Sequence, residues 1–125
     1  MQVKICGITT LDDARAAALA GADFIGLIRA PGPRQVSVTA AREIITALPP
    51  SARPVLVFRN AQVADVLAEA AMAGAVWIQL HGHEPLAYLE ALQRQRPGLR
   101  LIKAWEVASP RAAEELRQYL ASAVR

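Results

Sequence analysis

Two short segments concentrate the side chains that can handle protons. Val3-Lys4-Ile5-Cys6-Gly7-Ile8 carries the only cysteine of 125 residues, and Trp77-Ile78-Gln79-Leu80-His81-Gly82 ends in a glutamine, a histidine and a glycine. A thiol serves as a nucleophile or, once ionised, as a base. An imidazole holds or passes a proton near neutral pH, and a glutamine amide both donates and accepts hydrogen bonds. Gly82 leaves the backbone open to a close approach. One cysteine makes no internal disulfide, and Cys6, His81 and His83 lack the spacing of zinc ligands, so no metal is expected.

Both segments read as strands that end just before a helix starts, the place where a parallel α/β fold presents reactive groups. Five apolar, largely β-branched runs carry this pattern: Val3 to Cys6, Phe24 to Ile28, Val55 to Phe58, Val76 to Leu80 and Leu101 to Ala104. A helical segment follows each. The first is expected to start near Thr10, whose hydroxyl can cap it, and to stop at Gly21. The second runs from about Thr39 to Leu48 and ends at Pro49-Pro50. In the third, Val63, Val66, Leu67 and Ala70 have i, i+3, i+4, i+7 spacing, and Gly74 ends it. The fourth begins at Pro85. The fifth takes Ser109 as cap and Pro110 as first residue, with Leu116, Tyr119 and Leu120 on its apolar face. Nearly continuous apolar strands predict a sheet buried on both faces. Five such βα units fit either an open doubly wound sheet or five eighths of a TIM barrel.

Composition limits the function. Apolar residues make up 54% of the chain, which argues for one globular domain spanning 1–125 and against disorder. The net charge of +3 is scattered along the sequence, so no nucleic-acid partner is expected. No run approaches a membrane span and the start lacks the pattern of a signal peptide, so no membrane partner and a cytoplasmic location are expected.

Particular motifs decide between the two architectures. Val3-Lys4-Ile5-Cys6-Gly7-Ile8-Thr9, followed by Leu11-Asp12-Asp13-Ala14, resembles the N-terminus of the phosphoribosylanthranilate isomerases, TIM-barrel enzymes of tryptophan biosynthesis. Further segments agree in order: Ala20-Gly21-Ala22-Asp23 with Gly26, Pro33-Arg34 with Val36-Ser37, Val57-Phe58-Arg59-Asn60, Gln79-Leu80-His81-Gly82 with Glu84, and Ile102-Lys103-Ala104. Where the family's second loop usually reads Ser-Pro-Arg, this chain has Gly32-Pro33-Arg34. The resemblance implies an α/β fold that is a partial TIM (β/α)8 barrel, a single incomplete domain of five parallel βα units with the last three missing.

That resemblance implies an Amadori rearrangement of a small sugar-phosphate substrate, N-(5-phosphoribosyl)anthranilate, with no cofactor. An acid opens the ribose ring to an iminium and a base then removes the C2 proton. Cys6 would be the catalytic base, with Arg34 near the substrate carboxylate and Gln79 and His81 as substrate-binding hydrogen-bond partners at the mouth. Thiolate chemistry gains from a neighbouring cation, but Lys4 is expected to alternate away from Cys6. The family's acid is an aspartate ending a sixth strand, and most of its phosphate site lies in the last units; Glu106 is the nearest candidate for a substitute acid. Exposed sheet edges imply self-association or pairing with a complementary chain. The alternative reading is a non-catalytic half-barrel that dimerises or opens into a flavodoxin-like sheet. A relative of the indole-glycerol-phosphate synthases is disfavoured by Cys6.

Overall fold

The computed structural model describes residues 1–123. Its elements alternate without interruption: β1 Lys4–Cys6, α1 Leu11–Leu19, β2 Phe24–Ile28, α2 Val38–Ala47, β3 Arg53–Phe58, α3 Val63–Ala73, β4 Trp77–Leu80, α4 Leu86–Gln95, β5 Arg100–Lys103 and α5 Pro110–Ala123. The strands form one parallel sheet in the order β1-β2-β3-β4-β5. A doubly wound sheet would reverse its order at a switch point, with helices on both faces. Here sequence neighbours are spatial neighbours throughout, which excludes the flavodoxin-like alternative.

The helices share one side of the sheet. Ala14 of α1, Ala41 and Ile44 of α2, Val66 and Ala70 of α3, and Leu92 of α4 join a single core with Ile25, Leu27, Leu56, Phe58, Ile78 and Leu80. Period-two alternation sends the other strand residues to the opposite face. Lys4, Cys6, Gly26, Val55, Val57 and Gln79 lie there, with Cys6 paired to Gly26, Gly26 to Val55 and Val57 to Gln79. Val55 and Val57 are buried on that face too. Burial on both sides explains why the sequence shows continuous apolar strands rather than alternation.

Local signals set the helix ends. Thr10 Oγ1 accepts from the Asp13 amide at 3.1 Å, and Ser109 Oγ from the Ala112 amide at 3.1 Å, as their positions predict. The second helix starts earlier than the Thr39 expectation, because Ser37 Oγ captures the Ala40 amide at 3.0 Å and caps it. Gly74 ends α3 with φ +73°, left-handed backbone that glycine adopts without a Cβ penalty. The edge strand β1 is thinly covered: Val3 and Ile5 are 41% and 40% exposed, beside a shallow apolar cleft of about 410 Å³ that Ile8 and Ala17 also line. Among the described residues no helix is long and apolar enough to cross a membrane.

Candidate active site

The C-terminal ends of the five strands, with the loops that follow them, carry every predicted site residue. Cys6 ends β1 with its side chain exposed, on the face away from the helices. Lys4 shares that face, because residues two apart on a strand point the same way. The expectation that Lys4 alternates away is therefore wrong. A Cβ built on Gly26 would lie 2.7 Å from Cys6 Sγ and 3.0 Å from Lys4 Nζ, so thiol and ammonium converge over the same bare stretch of β2.

Arg34 approaches Gly7, the residue after Cys6, from the β2–α2 loop. It is exposed, yet its guanidinium lies over Gly7: a Cβ there would be 2.8 Å from Arg34 Cζ. Gly7 also has φ +87°, and its amide donates to Gly26 O at 3.0 Å. The loop is held from beneath by Arg29, which donates to both carboxylate oxygens of Glu69, at 2.8 and 3.0 Å, and to Val36 O.

Gln79 and His81 stand on β4 and its continuation. Gln79 is buried at 8% exposure between its neighbours on the sheet, whereas His81 is exposed and its amide donates to Phe58 O at 2.8 Å. Strands β1 and β4 are three spacings apart, about 14 Å across the sheet. The structure thus sets Cys6 and Lys4 over Gly26, with Arg34 over the adjoining Gly7, and places Gln79 and His81 apart from them on the same face. His81, Arg59, Trp105 and Glu106 line a cavity of about 550 Å³ beside β4 and β5 that reaches neither Cys6 nor Arg34. Glu106 is exposed there.

One buried polar centre escapes the sequence reading. The Glu84 side chain is 1% exposed, and its oxygens accept from the Asn60 amide and the Gly82 amide, each at 2.9 Å. Lys103 Nζ reaches Glu84 Oε1 at 3.2 Å, Gly82 O at 2.7 Å and Ala104 O at 2.9 Å. Burial by itself would push the Glu84 carboxyl up, but the amides of Asn60, Glu84 itself and Gly82, with the Lys103 ammonium, outweigh it and hold the group below its ordinary value. Asn60, at φ +52°, turns its Oδ1 to accept from the His83 amide at 2.8 Å. The bare Cα of Gly82 admits this Asn60 side chain, with whose Oδ1 a Cβ would collide. The close approach expected at Gly82 is made by the protein itself. In sequence Glu84 enters only as part of the motif with Gln79-Leu80-His81-Gly82 and carries no role, since nothing there marks its carboxylate as the acceptor of two amides.

Comparison with known proteins follows the same lines. Residues 3–122 match the family described as N-(5'phosphoribosyl)anthranilate (PRA) isomerase. The tryptophan biosynthesis protein TrpCF of Salmonella typhi is 44% identical over 117 residues, 93% of this chain and 25% of that protein. The N-(5'-phosphoribosyl)anthranilate isomerase of Methanocella arvoryzae is 39% identical over 121 residues, 94% of this chain and 56% of that one. Among solved structures, phosphoribosyl anthranilate isomerase from Thermotoga maritima superimposes with a TM-score of 0.88 at 36% identity, covering 95% of this chain and 57% of its own. A structure of the isomerase in complex with reduced 1-(o-carboxyphenylamino)-1-deoxyribulose 5-phosphate matches with a TM-score of 0.88 at 35% identity, over 95% of this chain and 60% of that one. The chain spans about half the length of the curated single-function relatives it matches.

Proposed function

The chain belongs to the phosphoribosylanthranilate isomerase family, and we propose that it provides the base and the carboxylate-binding half of an Amadori isomerase of tryptophan biosynthesis. In this reading its five βα units are the first part of a (β/α)8 barrel, consistent with a match that covers 57% of a solved relative. The substrate is N-(5-phosphoribosyl)anthranilate and the product is 1-(2-carboxyphenylamino)-1-deoxyribulose 5-phosphate. One observation carries the reading: the Arg34 guanidinium, brought by the β2–α2 loop, lies over Gly7, the residue that follows Cys6 at the C-terminal end of β1.

Chemistry follows from that placement. Arg34 offers a planar pair of donors to the anthranilate carboxylate, fixing the ring beside β1. Ring opening gives an iminium that makes the ribose C2 proton acidic. The Cys6 thiolate takes that proton, the C–H electron pair forms the enolamine C=C bond, and the iminium nitrogen becomes neutral. Ketonisation then yields the product with no net gain or loss of atoms. Gln79 and His81, about 14 Å across the sheet, contact the sugar-phosphate end as hydrogen-bond partners. The ring-opening acid and the main phosphate site belong, in this reading, to the later units of the barrel.

Loss of phosphoribosylanthranilate fluorescence tests the proposal. The chain is assayed alone and mixed with the sixth to eighth βα units of the Thermotoga relative, beside a Cys6→Ala variant. Turnover that Cys6→Ala abolishes supports it; a soluble, folded mixture without turnover overturns it. Exposure of Val3, just before β1, and of Ile5 within it favours a second property, self-association through that edge. Sedimentation showing a monomer at every concentration would rule it out.

A further inference from the structure

Glu84 occupies a junction that no other side chain among those described resembles. Its Oε2 takes the Asn60 amide of the β3–α3 loop, and its Oε1 takes the Gly82 amide of the β4–α4 loop together with Lys103 from the end of β5. Lys103 closes the ring by donating to Gly82 O and Ala104 O, on the same two strand ends. Asn60 answers with a bond from the His83 amide, and Tyr88 Oη donates to Ala61 O at 2.8 Å. Three successive strand ends are therefore tied to one carboxylate. His81 sits inside this knot, one residue before Gly82, with its own amide bonded to β3.

A buried ion pair is often replaceable by apolar groups with no loss of stability. Two loop amides, in contrast, have no substitute acceptor once the carboxylate is gone. We infer that Glu84 is a positioning residue: its carboxylate sets the β3, β4 and β5 loop ends in register and so fixes His81 at the site mouth. The inference rests on the functional reading above for the meaning of that mouth, and on the hydrogen bonds alone for the clamp. Glu84 itself touches no reacting atom in this scheme.

Amide hydrogen exchange on the full 125-residue chain tests it with two variants. Glu84→Gln keeps the shape but offers one carbonyl to two amides. The double variant Glu84→Met with Lys103→Met removes the charges together and restores apolar packing. Exchange at Asn60, Gly82 and His83 is expected to rise about tenfold or more in both variants, while Leu56 and Ile78 in the sheet change less than about twofold in the double variant. Uniform acceleration of loop and strand amides in the double variant would reduce Glu84 to a stability contribution and overturn the inference, as would unchanged loop amides. Where the chain, alone or complemented, turns over substrate, the double variant is expected to lose kcat with its thermal midpoint retained; full kcat with a loosened loop also overturns the inference. The exchange pattern is read whether or not turnover occurs, so failure of the isomerase reading and failure of the clamp are separate results.

Discussion

Lys4 and Cys6 converge on the bare Cα of Gly26, where an added methyl would stand 2.7 Å from Sγ, 3.0 Å from Nζ and 3.1 Å from Cys6 Cα. The lysine end is flexible and can withdraw, but the Cys6 backbone is hydrogen-bonded into the sheet and cannot. Gly26→Ala is therefore expected to cost between about 1 and 3 kcal/mol in urea unfolding, as overpacking does, and to change the rate at which iodoacetamide alkylates Cys6. Unchanged unfolding together with unchanged alkylation would show that the sulfur does not rest over Gly26.

Gly7 and Arg34 make a second coupled pair. Arg34 is exposed, so Arg34→Ala alone is expected to alter stability by no more than about 0.5 kcal/mol. Gly7→Ala combines left-handed backbone at φ +87° with a collision against the guanidinium. Removing Arg34 relieves the collision and leaves the backbone strain. A double-mutant cycle is expected to show a coupling of at least about 0.5 kcal/mol; strict additivity would place the arginine elsewhere.

The Glu84 carboxylate gives the fold an acid limit. Its folded value is held below the ordinary one by the Asn60, Glu84 and Gly82 amides and Lys103, in spite of burial. A depressed carboxylate contributes stability above its unfolded value, about 4.3, and that contribution is lost as pH falls through the lower folded value. Glu84→Gln is expected to cost about 3 kcal/mol at neutral pH, because Lys103 is left buried without its counter-charge. The gap between wild type and variant should narrow as pH drops from about 5 to 3, measured by chemical unfolding. A constant gap would mean that the carboxylate is not the titrating partner.

The sequence exposed the architecture more fully than the site. Strand runs, the caps at Thr10 and Ser109 and the stop at Gly74 are local devices, and each appears where its residues place it. The winding of the sheet is a global property that periodicity leaves open; motif resemblance, not the pattern of apolar residues, favoured the order seen. Arg34 reaches Gly7, 27 positions before it and next to Cys6, because β1 and β2 are adjacent, a consequence of the winding. Glu84 is hidden for a different reason. Its carboxylate takes the Gly82 amide two residues before it, but its other partners, the Asn60 amide and Lys103, lie 24 and 19 residues away and leave no mark near Glu84 in the chain. For Lys4 the strand period alone, applied to residues two apart, already places it on the same face as Cys6.

Tyr88 sets the corresponding alkaline limit. Its hydroxyl donates to Ala61 O, and burial, with smaller contributions from the Glu84 and Asp65 charges, pushes its pKa up to about 12. A raised phenol keeps its proton in the folded chain while the unfolded chain ionises near pH 10, so stability is present below that pH and declines between about 10 and 12. Tyr119, the other tyrosine, is also raised, chiefly by burial. Phenolate absorbance in the folded protein is therefore expected to lag an equimolar mixture of free tyrosine and to appear together with loss of helical circular dichroism. Tyr88→Phe removes one hydrogen bond at a cost of about 1 kcal/mol at neutral pH and flattens the alkaline decline. A phenolate signal that develops fully near pH 10 while the helices persist would place both hydroxyls in solvent and remove the tie between Tyr88 and the β3–α3 loop.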